Sequence, residues 1–163
     1  MATTRVLAPL SISLQAGKEC IITDRAPGEE LSQSFKRGAP LVRDATTKEL
    51  EEWAGTTDAT RPVGIACNDA SGTAGTTVQY YEANDYNIFE ASLINNTTAY
   101  VLLGTEVGTK YSLIKASSGA WYVDVADTTT DIVEVVGLIS DVGDTNPRVK
   151  VRFIGDKQAN VLQ

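Results

Sequence analysis

Apolar and polar residues alternate along most of this chain with the two-residue period of a half-buried strand. The pattern is sharpest near the end, where Val149, Val151 and Phe153 interleave with Arg148, Lys150 and Arg152, so that one face is dry and the other wet. Similar runs at 63–67, 76–81, 88–94, 100–103, 111–115, 121–125 and 132–139 predict further strands. The breaks between them are rich in Gly, Asn, Asp, Ser and Thr, the residues that short β connections require.

The first third is less regular. Val6, Ala8, Leu10, Ile12 and Leu14 share one parity and Ser11 and Ser13 the other, with Pro9 inside the run. Proline cannot donate to a ladder, which predicts an edge strand or an extended arm. A short strand is expected at 20–23, a turn-rich stretch at 24–30, and a loop leading into a strand at 35–44. Thr46-Thr47-Lys48-Glu49 has the spacing of a capping box and predicts one short helix of about two turns, ending before Gly55. Strands at intervals of about ten residues, without helix–strand alternation, predict a barrel or sandwich rather than a parallel α/β sheet.

At 163 residues the chain suits one hydrophobic core. The expected division is an N-terminal arm or edge strand at 1–16, a β domain at 17–155 and a C-terminal tail at 156–163. Lysine and arginine number 14 against 21 aspartates and glutamates, for a net charge of −7, and the basic residues are scattered. Duplex binding needs clustered positive charge, so nucleic acid is not the expected partner. No run reaches the roughly 18 apolar residues of a membrane span, and the start lacks the apolar core of a signal peptide, so synthesis in a cytoplasm is expected. Cys20 and Cys67 have neither metal nor redox spacing and are expected to be reduced and buried.

The chain has no histidine, which removes the commonest general base and transition-metal ligand and points away from catalysis. Gly104-Thr105-Glu106-Val107-Gly108-Thr109-Lys110 approaches a phosphate loop, but its spacing is wrong and no helix is expected to follow. Ser112 and Lys115 match a serine-x-x-lysine element, yet in a strand residues three apart face opposite ways. Asp124, Asp127 and Asp131, and again Asp141 and Asp144, lack calcium-loop spacing and read as turn acids. No cofactor or metal is expected. The sequons at Asn95 and Asn96 matter only in a secreted eukaryotic setting. Tyr80, Tyr81, Tyr86 and Phe89 form an aromatic cluster in which one of the adjacent pair Tyr80 and Tyr81 should face outward as an interface anchor.

Three phrases, 38–44 (GAPLVRD), 61–66 (RPVGIA) and 88–93 (IFEASL), followed by 143–151 (GDTNPRVKV), resemble the decoration or cement proteins of tailed-phage heads. The resemblance implies a mainly β, single-domain antiparallel barrel or sandwich, β-tulip-like, with an extended N-terminal arm. It implies a non-enzymatic virion protein on the outer capsid surface, made in the bacterial host cytoplasm, with the major capsid protein as partner. A homo-oligomer is expected, a trimer ahead of a dimer. The expected contact residues are Val6, Leu7, Pro9, Leu10, Ile12 and Leu14 of the arm, with Tyr80, Tyr81 and Tyr86. A head–tail connector or tail-tube protein and a carbohydrate-binding module, with exposed Trp53, Trp121 or tyrosines as a stacking platform, are the alternatives.

Overall fold

The computed structural model describes residues 12–16, 21–22, 28–55, 61–84 and 86–154. Strands make up about 40% of them, and none is helical. In chain order the strands are β1 (Ser13–Ala16), β2 (Ile21–Ile22), β3 (Pro40–Arg43), β4 (Leu50–Glu52), β5 (Gly64–Ala66), β6 (Gln79–Glu82), β7 (Ile88–Asn95), β8 (Thr98–Ala99), β9 (Lys110–Lys115), β10 (Trp121–Asp124), β11 (Val133–Leu138) and β12 (Arg148–Phe153).

They form two sheets. In the larger one the order is β1-β7-β10-β9-β11-β12, and β12 pairs back onto β7, so that β7, β10, β9, β11 and β12 make a near-closed ring. All its pairings are antiparallel except β7 with β10, which is parallel. The smaller sheet, β2-β6-β5-β3-β4, is antiparallel throughout.

Alternation explains the ring. Val149, Val151 and Phe153 of β12 are buried, and the phenyl ring of Phe153 meets that of Phe89 edge-on at 5.5 Å. On the other face of β12, Arg148 and Arg152 pair with Glu90 of β7 and Glu134 of β11. Each large apolar side chain withdrawn from water here contributes about 1.5–3 kcal/mol. Most buried apolar residues of both sheets form one continuous cluster, and Ile94, Ala120 and Tyr122 form a second, smaller one. Trp53, just after β4, stacks on Trp121 of β10 at 5.6 Å and joins the sheets. Beside that contact, Glu52 accepts a hydrogen bond from the Trp121 indole at 2.8 Å and pairs with Lys115 at 2.6 Å.

Three expectations are corrected. The helix at Thr46 is instead the turn of the β3–β4 hairpin. The Asp44 carboxylate captures the amides of Thr46 and Thr47 at 2.7 and 2.6 Å, Lys48 takes a φ of 64°, and the amide of Asp44 donates to the Glu49 carbonyl. An aspartate that satisfies these donors in a turn competes directly with the threonine cap. The strand expected at 100–103 is reduced to a single bridge between Val101 and Thr145, because Leu103 and Gly104 turn their amides onto Glu106. Cys67 is in a disulfide rather than reduced. It follows β5, and the next strand, β6, pairs on its other edge with β2, which begins immediately after Cys20. Sequence spacing and compartment give no sign of this adjacency, which only the strand order creates.

Candidate interaction surface

Two loops at one end of the ring carry the largest group of exposed apolar side chains among the described residues. The loop from β8 to β9 presents Val101, Leu103 and Val107, and the loop from β11 to β12 presents Ile139 and Val142; Leu103 and Val142 are each more than 60% exposed. The loops are laced together. Leu102 donates to the Asp144 carbonyl at 3.0 Å, Gly143 to the Leu102 carbonyl at 2.9 Å, and Asn146 to the Tyr100 carbonyl at 2.9 Å. Leu102 itself points inward and is buried, so alternation pushes its neighbours Val101 and Leu103 out. A Cβ added to Gly104 would stand 3.1 Å from Val142, which shows how closely the two loops approach.

The scaffold under this surface is a buried carboxylate. Glu106, 1% exposed, accepts the Tyr100 hydroxyl at 2.6 Å and the amides of Leu103 and Gly104 at 3.0 and 2.7 Å. Burial alone would raise its pKa, but these donors outweigh it and hold the carboxyl below its ordinary value. Burial and the neighbouring carboxylate push the Tyr100 phenol far above its usual range. The near match to a phosphate loop is therefore a turn that binds its own carboxylate. Glu29, fully buried, does similar work in the smaller sheet by accepting the amides of Ser71 and Gly72.

A cleft of about 270 Å³ lies where the sheets meet, lined by Ala54, Gly55, Leu113, Ile114, Lys115, Trp121, Asp124 and Asp127. Asp124 Oδ1 accepts the amides of Asn96 and Ala126, and Asp127 Oδ1 accepts those of Thr129 and Thr130. Burial raises the Asp127 pKa, yet the Thr129 and Thr130 bonds hold it below the ordinary value. Ser112 is buried while Lys115 is exposed and tied to Glu52, so the two do not form a nucleophile–base pair. Among the described residues no three carboxylates or cysteines are grouped to hold a metal ion.

The expected contact residues are scattered. Val6, Leu7, Pro9 and Leu10 lie outside the described residues, as does the tail at 155–163. Ile12 is buried in the core, and Leu14 lies on the edge strand β1 against Phe89. Tyr80 is buried, with its hydroxyl accepting from Arg43 at 3.2 Å, and Tyr81 is partly buried against the core. Tyr86 is 82% exposed. Trp53 and Trp121 are both buried and form no exposed platform. The loop surface built on Glu106 was not legible in the sequence, because Val101, Leu103 and Ile139 fall in runs that read as strands, Val107 and Val142 fall in turns, and only the fold brings the two loops together. Comparison with protein-family models, curated proteins and solved structures finds no match to this chain.

Proposed function

We propose that the protein is a structural, non-catalytic component that binds the outer surface of an assembled phage capsid and stabilises it. The observation that carries this reading is the apolar surface of Val101, Leu103, Val107, Ile139 and Val142 on two cross-braced loops. Exposed apolar groups held on a rigid scaffold fit a docking surface, because little conformational entropy remains to be lost on binding. The resemblance of phrases such as 61–66 and 88–93 to decoration proteins points to the partner, and the net charge of −7 suits a surface that faces away from packaged nucleic acid. Binding the assembled shell but not its free subunits stabilises the shell by mass action, and many copies act together.

Sedimentation of expanded capsids mixed with the purified protein tests the reading. Saturable co-sedimentation that is lost on Leu103→Ser with Val142→Ser is the expected result. Failure of the unaltered protein to sediment with the shells overturns it, and growth into rings or tubes without capsids replaces it with the connector or tail-tube reading.

A further inference from the structure

We propose that the disulfide of Cys67 is a redox latch: reduction by a small thiol releases the edge strand β2 from β6 and leaves the rest of the smaller sheet in place. Cys67 directly follows β5 and is partly exposed, which puts it within reach of a small thiol. Its partner is Cys20, the chain's only other cysteine, which directly precedes β2. β2 has two residues, and its pairing with β6 consists of Ile21 with Tyr80 and Ile22 with Gln79. So short a ladder is marginal without a further restraint, and the covalent bond supplies one.

The two edges of β6 are held differently. On one, the Gln79 carbonyl accepts the Cys67 amide at 2.8 Å, the Gln79 amide donates to Asn68 Oδ1 at 2.8 Å, and the Ala83 amide donates to the Val63 carbonyl at 2.9 Å. Tyr81 lies between them, opposite Ile65 of β5. Backbone groups alternate between the two edges of a strand, so Tyr80 turns its amide and carbonyl toward β2. Freeing β2 therefore strips Tyr80 of its backbone partners and leaves those of Tyr81 in place. The step is thiol–disulfide exchange. One glutathione thiolate attacks a sulfur of the bond, freeing one protein thiol and forming a mixed disulfide; a second attacks that mixed disulfide, freeing the other protein thiol and leaving oxidised glutathione. Cytoplasmic thiols keep such pairs reduced and an oxidising medium closes them, so the latch shuts when the chain leaves a reducing compartment. It does not depend on capsid docking, because β2 and Cys67 share no residue with the apolar loops.

The test uses the whole oxidised protein, labelled for NMR, with amide hydrogen exchange followed before and after addition of reduced glutathione. Mass spectrometry confirms that the chain has gained two hydrogens. The expected result is that reduction drops the protection of the Tyr80 amide to within about tenfold of an unstructured peptide, whereas the Tyr81 amide stays at least about a hundredfold above it. Cys67→Ser without reductant should reproduce this pattern, and re-oxidation with glutathione disulfide should restore Tyr80 protection in the unaltered chain. Undiminished Tyr80 protection after reduction would show that β2 holds by its own pairing and would overturn the proposal. Loss of protection at Tyr80 and Tyr81 together would make the bond a brace of the whole sheet, and resistance to glutathione until the protein is denatured would make it a permanent staple; either result also overturns it.

Discussion

The hydroxyl of Tyr100 donates to the carboxylate of Glu106 at 2.6 Å, and this bond anchors the loop that bears three of the five exposed apolar side chains. Tyr100→Phe removes the donor and leaves the carboxylate underserved, with an expected loss of about 1.5–3 kcal/mol in chemical denaturation. Glu106→Gln should cost about 1–3 kcal/mol by the same measurement. An unchanged denaturation midpoint in both variants would show that the loop does not depend on this pair.

The same pair sets limits in pH. The folded pKa of Glu106 is lowered, so its contribution is complete above the unfolded value of about 4.5 and is lost as pH falls through the folded value. The folded pKa of Tyr100 is raised, so its contribution is complete below about 10 and is lost as pH rises toward the folded value. Thermal unfolding across pH should therefore show a plateau between these limits for this pair. Tyr100→Phe should remove the part of the alkaline decline that it causes.

Leu103 and Val142 are each more than 60% exposed, so Leu103→Ser and Val142→Ser should each change stability by less than about 0.5 kcal/mol. Their combined effect should fall on association instead. Sedimentation velocity of the isolated variant, beside the capsid binding described above, distinguishes a surface used between copies of this chain from one used on the shell.

Gly64 in β5 should not tolerate a side chain. A Cβ there would collide with the Tyr80 ring and stand 2.7 Å from the Tyr81 carbonyl oxygen of the neighbouring strand β6. Gly64→Ala is expected to cost about 1–3 kcal/mol or more, because both obstacles belong to the packed sheet. A variant of wild-type stability would mean that β5 and β6 can separate freely.

Non-reducing peptide mapping should recover Cys67 linked to Cys20, the chain's only other cysteine, with no free thiol in the denatured protein. Reduction should then lower stability by about 2–4 kcal/mol. Two titratable thiols in freshly purified protein would return the reading to a reduced pair.

Much of the ring was legible in the sequence. β7, β9, β10, β11 and β12 coincide within a residue or two with apolar-rich runs bounded by turn residues, since each packs on the core; alternation is clean in β12, whereas β10 is buried on both faces. The failures have a common origin in carboxylates whose partners are backbone amides. Asp44 turned an apparent helix start into a hairpin, and Glu106 dissolved an apparent strand at 100–103. Neither residue carries a local signal that separates a solvated acid from one that organises a loop, because the difference lies in which amides the fold brings to it. The cleft was invisible for another reason: Ala54, Ile114 and Asp124 meet only once the two sheets pack.

Ring closure has a consequence for how the chain acquires its structure. β7 cannot complete its pairing until β12 arrives to lie along Ile88–Ser92, and β11, already linked to β7 through β9 and β10, is joined to its other side only when β12 inserts between them. No nascent chain lacking β12 can close the ring, so it must emerge from the ribosome with apolar strands still unpartnered. Folding dominated by such distant pairings runs in about milliseconds to seconds, and truncation before Arg148 should yield aggregates rather than a smaller folded protein.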